Sequence, residues 1–176
     1  MQARVKSHWI FLFLVLTCGA AAAQTLAGTV GQGTATVATA GGARSAPITV
    51  SAAARGYCKV ELALGGGALT AVAQGGRASV HGPARLAREL PLPLDPRLGC
   101  PLLPRPGAPS TLAWRFRGQA ATISYNGQTV TVSVAGGTRL SIVYEQVGTQ
   151  AFTAADFALP PPPRSFPQRK PAGGGE

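Results

Sequence analysis

The chain has 176 residues, 16 basic and 6 acidic side chains, a formal net charge of +10 and 45% hydrophobic residues. That length suits one domain, with enough apolar content for a real core. Two histidines, three cysteines and six carboxylates in all leave little material for metal clusters or acid–base machinery.

Residues 1–23, MQARVKSHWIFLFLVLTCGAAAA, read as a cleaved secretory signal. Arg4 and Lys6 precede an apolar run from Trp9 to Leu16, and Ala21-Ala22-Ala23 has the small-x-small form that signal peptidase cuts. A membrane span needs about 20 apolar residues, more than this run supplies, so no transmembrane segment is expected in the mature chain. Cys18 offers a minor alternative, a lipoprotein anchor, but Thr17 is a poor substitute for the small residue such a signal places before its cysteine. Losing Arg4 and Lys6 takes the formal charge from +10 to +8. The destination is then periplasmic or extracellular, and the two remaining cysteines, Cys58 and Cys100, are expected to pair.

From Gln24 onward no 3.6-residue apolar repeat is sustained. Short alternating runs rich in Val and Thr, broken by Gly pairs, predict an all-β fold: a single antiparallel β-sandwich or barrel-like domain over 24–147. The strands are placed at 34–39, 46–53, 57–64, 68–74, 78–82, 111–117, 120–125, 128–135 and 139–146. Cys58, Val60, Leu62 and Leu64 alternate with Lys59, Glu61 and Ala63, which puts the cysteine on the core face. In LTAVAQGGRASVH, a three-residue loop Gly75-Gly76-Arg77 sets Val72 opposite Val80. The GG signals recur at unequal spacings and read as repeated turn chemistry, not a solenoid period.

Residues 89–110, ELPLPLDPRLGCPLLPRPGAPS, hold seven prolines. A central strand rejects proline, which lacks a ladder donor, and a linker would not place a cysteine whose partner lies on a core strand. The stretch is expected to be a long loop tied back onto the sheet by Cys100. Arg97 and Arg105 sit within it, the side chains an inhibitor of a hydrolase would present.

The C-terminal meander follows. Paired residues share a face, so loop lengths can be tested against the apolar pattern. A two-residue Gly118-Gln119 turn matches Phe116 with Ala121. An Asn126-Gly127 type I′ turn matches Ile123 with Val130, and a three-residue Gly136-Gly137-Thr138 loop matches Val132 with Ile142. One apolar face results, carrying Leu112, Trp114, Phe116, Ile123, Tyr125, Val130, Val132, Val134, Leu140, Ile142 and Tyr144, and it is expected to pack on the earlier strands. Arg115 and Arg117 point to the opposite, Ser/Thr-lined face, a possible site for phosphate, sulfate or acidic glycan groups. Residues 148–176 are expected to be a flexible basic tail in which AFTAADF makes one helical turn or an edge strand, with Arg164, Arg169 and Lys170 free to meet an anionic envelope surface.

The chemistry points away from catalysis. His81, alone after the signal, cannot build a metal site once the cysteines pair. No G-x-S-x-G elbow or P-loop setting occurs, and no cofactor is implied. Specific nucleic-acid binding is not expected, because the charge is dispersed and the arginine face carries no stacking aromatic. The sequence therefore reads as a non-catalytic exported bacterial envelope protein, a binding or structural β module whose partner is an anionic surface or another envelope protein. The alternatives are a secreted hydrolase inhibitor presenting 89–110, and an enzyme with an unrecognised carboxylate pair.

Overall fold

The computed structural model describes residues 24–64, 67–94, 99–104, 107 and 109–159. The expected signal, Cys18, Arg97, Arg105 and the basic residues Arg164, Arg169 and Lys170 lie outside the described residues.

Nine strands occur among the described residues: β1 Leu26–Thr39, β2 Gly42–Ala53, β3 Tyr57–Leu64, β4 Gly67–Gln74, β5 Arg77–His81, β6 Thr111–Phe116, β7 Gln119–Asn126, β8 Thr129–Val134 and β9 Arg139–Phe152. A short helix, α1 Ala84–Glu89, leads into the proline-rich loop. All nine strands belong to one antiparallel sheet, in the order β5-β4-β3-β2-β1-β9-β8-β7-β6, curled into a half-barrel. The fold is all-β as expected, but the two halves do not face each other as sandwich layers. They join edge to edge through β1 and β9, and β5 and β6 end the sheet.

The curl leaves a concave apolar face, and what covers it is the loop. Leu90, Leu92, Cys100, Leu102 and Leu103 are buried in one cluster with Ile48, Val50, Val60, Leu62, Ile123, Val132, Leu140 and Ile142. Pro91, Pro93 and Pro101 are buried too. The Cys58–Cys100 disulfide fastens the loop to β3. Two tyrosines hold its backbone: Tyr125 Oη donates to the Pro101 carbonyl and Tyr144 Oη to the Leu102 carbonyl, each at 2.7 Å. Gly31 on β1 makes room for this contact. A Cβ there would stand 2.6 Å from the Tyr144 ring and 2.7 Å from Leu103 Cδ2.

The meander's apolar face is as expected. Ile123, Val130, Val132, Val134, Leu140, Ile142 and Tyr144 are buried, and Leu112, Trp114, Phe116 and Tyr125 are half-buried near the β6 edge. Its registers differ. The turns are Arg117-Gly118, Gly127-Gln128 and Ala135-Gly136-Gly137, which pair Trp114 with Ala121, Ile123 with Val132 and Val132 with Leu140. Each register is displaced by two residues from the expected one. Side chains alternate with period two, so an even displacement leaves every residue on its face.

The β4–β5 hairpin is a different correction. Gly75 and Gly76 both have positive φ, 56° and 80°, and form a two-residue turn that pairs Ala71 with Val80 and Val72 with Ser79. Val72 and Val80 therefore face opposite sides. Val80 is 41% exposed on the edge strand, while Val72 is 5% exposed on the convex face.

Candidate functional site

Something must cover Val72, and β9 supplies it. Between Gln32 and Gly33 of β1 the β1–β9 register shifts, leaving Glu145 as the extra residue of a bulge. Beyond it β9 runs on to Phe152, opposite Leu26. The tail therefore does not begin at 148: residues 148–152 are strand, because β1 is long enough to pair them. A 3-10 turn, Ala154–Phe157, then folds back over the convex face. Phe157 is buried with Leu26, Val72 and Phe152, its ring centroid 5.1 Å from Tyr57 and 5.2 Å from Phe152.

The turn is locked at its start. Asp156 Oδ2 accepts from the Thr153 backbone N–H at 2.6 Å and from Thr153 Oγ1 at 2.9 Å, a reciprocal capping box. The backbone hydrogen bond first, and then the hydroxyl and nearby Lys59, hold the Asp156 carboxyl below the usual carboxylate range.

This turn and the β4–β5 hairpin enclose a groove of about 540 Å³ on the convex face. Gln74, Arg77 and Ser79 form one wall, Ala158 and Leu159 the other, with Val72 and Phe157 beneath. Among the described residues the lining sets donors on one side over an apolar floor, with no acidic side chain. Sequence reasoning missed the groove. AFTAADF, expected to be one helical turn or an edge strand, supplies both, with Ala151 and Phe152 ending β9 and Ala154–Phe157 forming the 3-10 turn, but the groove beside Phe157 is not part of that reading.

The residues singled out from sequence are dispersed. Cys58 and Cys100 are joined. Arg115 lies on β6 and donates to the Gly118 carbonyl at 3.1 Å. Arg117 is in the turn, at φ 52°, with its guanidinium carbon 5.4 Å from the Phe116 ring centroid. The two guanidinium groups thus have separate intramolecular partners, and of the two arginines Arg115 is the one paired across the hairpin, with Ala120. His81 ends β5, opposite Thr70. Glu61 pairs with Lys59 at 2.9 Å, and Glu145 stands 3.5 Å from the Thr34 hydroxyl. No group of three or more metal-ligating side chains occurs among the described residues, nor does any helix long and apolar enough to cross a membrane. No family model and no curated protein matches the chain.

Proposed function

We propose that this chain is an exported, non-catalytic module of a bacterial envelope, which binds or supports another envelope component. The observation that carries the reading is the Cys58–Cys100 bond, which fastens the loop covering the core. A fold that relies on such a bond suits an oxidising compartment, and the secretory pattern of residues 1–23 supplies a route to one. The convex groove is the binding surface, and Arg164, Arg169 and Lys170 bring the chain to an anionic surface. Leu90, Leu92, Leu102 and Leu103 are committed to the core, so an inhibitor would have to present Arg97 or Arg105.

Fractionation of cells expressing the full chain tests this. The expected result is protein in the periplasm or medium, beginning at Gln24, with Cys58 and Cys100 recovered in one linked peptide without reduction. It should be retained on anionic envelope material at low salt more strongly than a chain ending at Leu159. Cytoplasmic protein with two free thiols would overturn the reading, and a lipid-modified Cys18 would move the protein to a membrane.

A further inference from the structure

Two residues ahead of β1 stands Gln24, exposed. Its side-chain oxygen accepts a hydrogen bond from Arg55 Nη1 at 3.3 Å. Arg55 reaches it from the tight connection between β2 and β3, Ala54–Gly56, where it has φ 65°, a left-handed conformation that a non-glycine residue adopts at a cost. Gln24, Leu26, Arg55 and Tyr57 line one side of a small hollow of about 190 Å³, and Thr153 to Ala155 close the other.

We propose that Gln24 is a modification site: once cleavage after Ala23 frees its α-amine, it closes to pyroglutamate, and Arg55 promotes the closure and then holds the lactam. The inference rests on the export reading, which supplies that amine. The neutral α-amino nitrogen attacks Cδ of the same residue's carboxamide. The Nα–Cδ bond forms, the Cδ–Nε2 bond breaks, and Nε2 leaves as ammonia with the proton the amine gives up. Nothing is oxidised or reduced, and no co-reactant is needed.

The geometry bears on each stage. Oε1 survives the reaction as the lactam oxygen, so the guanidinium meets the same atom in reactant, tetrahedral intermediate and product. The negative charge on that oxygen is greatest in the intermediate, so the charge-assisted hydrogen bond, which is exposed to solvent, is strongest there and lowers the barrier by a modest amount. Before closure, a protonated α-amine would stand in the same neighbourhood as the Arg55 cation. Closure removes that like charge and leaves a neutral N-terminus beside the Thr153–Ala155 turn.

Two measurements test this. Peptide mass spectrometry of the exported full-length chain should find an N-terminal peptide starting at position 24 and lighter by one ammonia. A free Gln24 would overturn the modification while leaving the export reading in place, and an N-terminus elsewhere would overturn both. Separately, protein released in vitro by a protease cutting directly before Gln24 should lose ammonia at least about threefold faster when folded than when unfolded in urea, and faster than folded Arg55→Gly. Glycine takes φ 65° without strain, so this variant removes the guanidinium while keeping the turn. Arg55→Lys, which retains a donor, should fall between. Equal rates in all of these proteins would remove Arg55 from the step.

Discussion

The two faces of the sheet are covered by two irregular segments, and they are held in different ways. Over the concave face lies the proline-rich loop, with a disulfide, four buried leucines and two tyrosine hydroxyls bonded to its carbonyls. Over the convex face lies one 3-10 turn, anchored by Phe157 and capped by Asp156. Prolines at these positions cannot donate backbone hydrogen bonds, so the loop cannot be knitted on as another strand. Covalent and side-chain contacts hold it instead. The convex turn follows a paired strand and inherits its position from β9, so one aromatic anchor suffices.

The largest expected effect comes from breaking the concave lock. The bond spans 42 residues of sequence, and the chain-entropy model gives such a crosslink about 4 kcal/mol. The Cys58→Ala, Cys100→Ala double variant should lose about that much in urea unfolding. Hydrogen exchange should rise most at the β7–β9 amides beneath the loop. A loss below about 1 kcal/mol would mean that the leucines and tyrosines hold the cover without the bond.

The convex counterpart is Phe157→Ala. Removing a buried phenylalanine costs about 3 kcal/mol, and the expected loss is of that size or smaller, because the cluster has only four buried members. Its signature is spatial. Exchange should rise at 149–157 and at the start of β1, with the concave core unchanged. Uniform acceleration over the whole sheet would show that the two covers act as one unit.

The same contrast explains what was legible in the sequence. Period-two alternation carried the strands and their faces, because burial on one face writes itself into every second residue. It placed Ile123, Val132 and Ile142 correctly while giving hairpin registers two residues away from those adopted, since an even slip preserves faces. It failed at β4–β5 for the converse reason. Val72 and Val80 were matched as one face, but Val72 is buried under Phe157 on the convex side and Val80 is an exposed edge residue. Irregular covers have no period to read. Cys100 marked the loop as tethered, and Leu90, Leu92, Leu102 and Leu103 show only in the structure that the loop fills the place of a second sheet. The groove brings the β4–β5 hairpin beside Phe157, Ala158 and Leu159, residues far apart in the chain that no local alternation relates. The Gln24–Arg55 contact joins two chain ends of β elements, which sequence spacing does not relate.

The smallest expected effect isolates one strand of the concave lock. Tyr144 is buried, and its hydroxyl donates to the Leu102 carbonyl. Burial first, and then Tyr125, push the Tyr144 phenol far above its ordinary value. A phenol whose folded value is raised gives stability that is fully present below the unfolded value, about 10. That stability is lost as pH climbs above it, because the unfolded chain then releases a proton the folded chain keeps. Tyr144→Phe should cost about 1–2 kcal/mol at neutral pH, since the Leu102 carbonyl loses its donor in a buried setting. The variant lacks the titration, so its deficit relative to wild type should shrink as pH rises past about 10, at up to about 1.4 kcal/mol per pH unit. Comparing the two proteins in parallel cancels the contributions of the other tyrosines and of the arginines. A gap that stays constant to pH about 11 would show that the folded state does not hold this phenol neutral. Burial, the first cause of the shift, would then be incomplete, and water would reach the phenol beneath the loop.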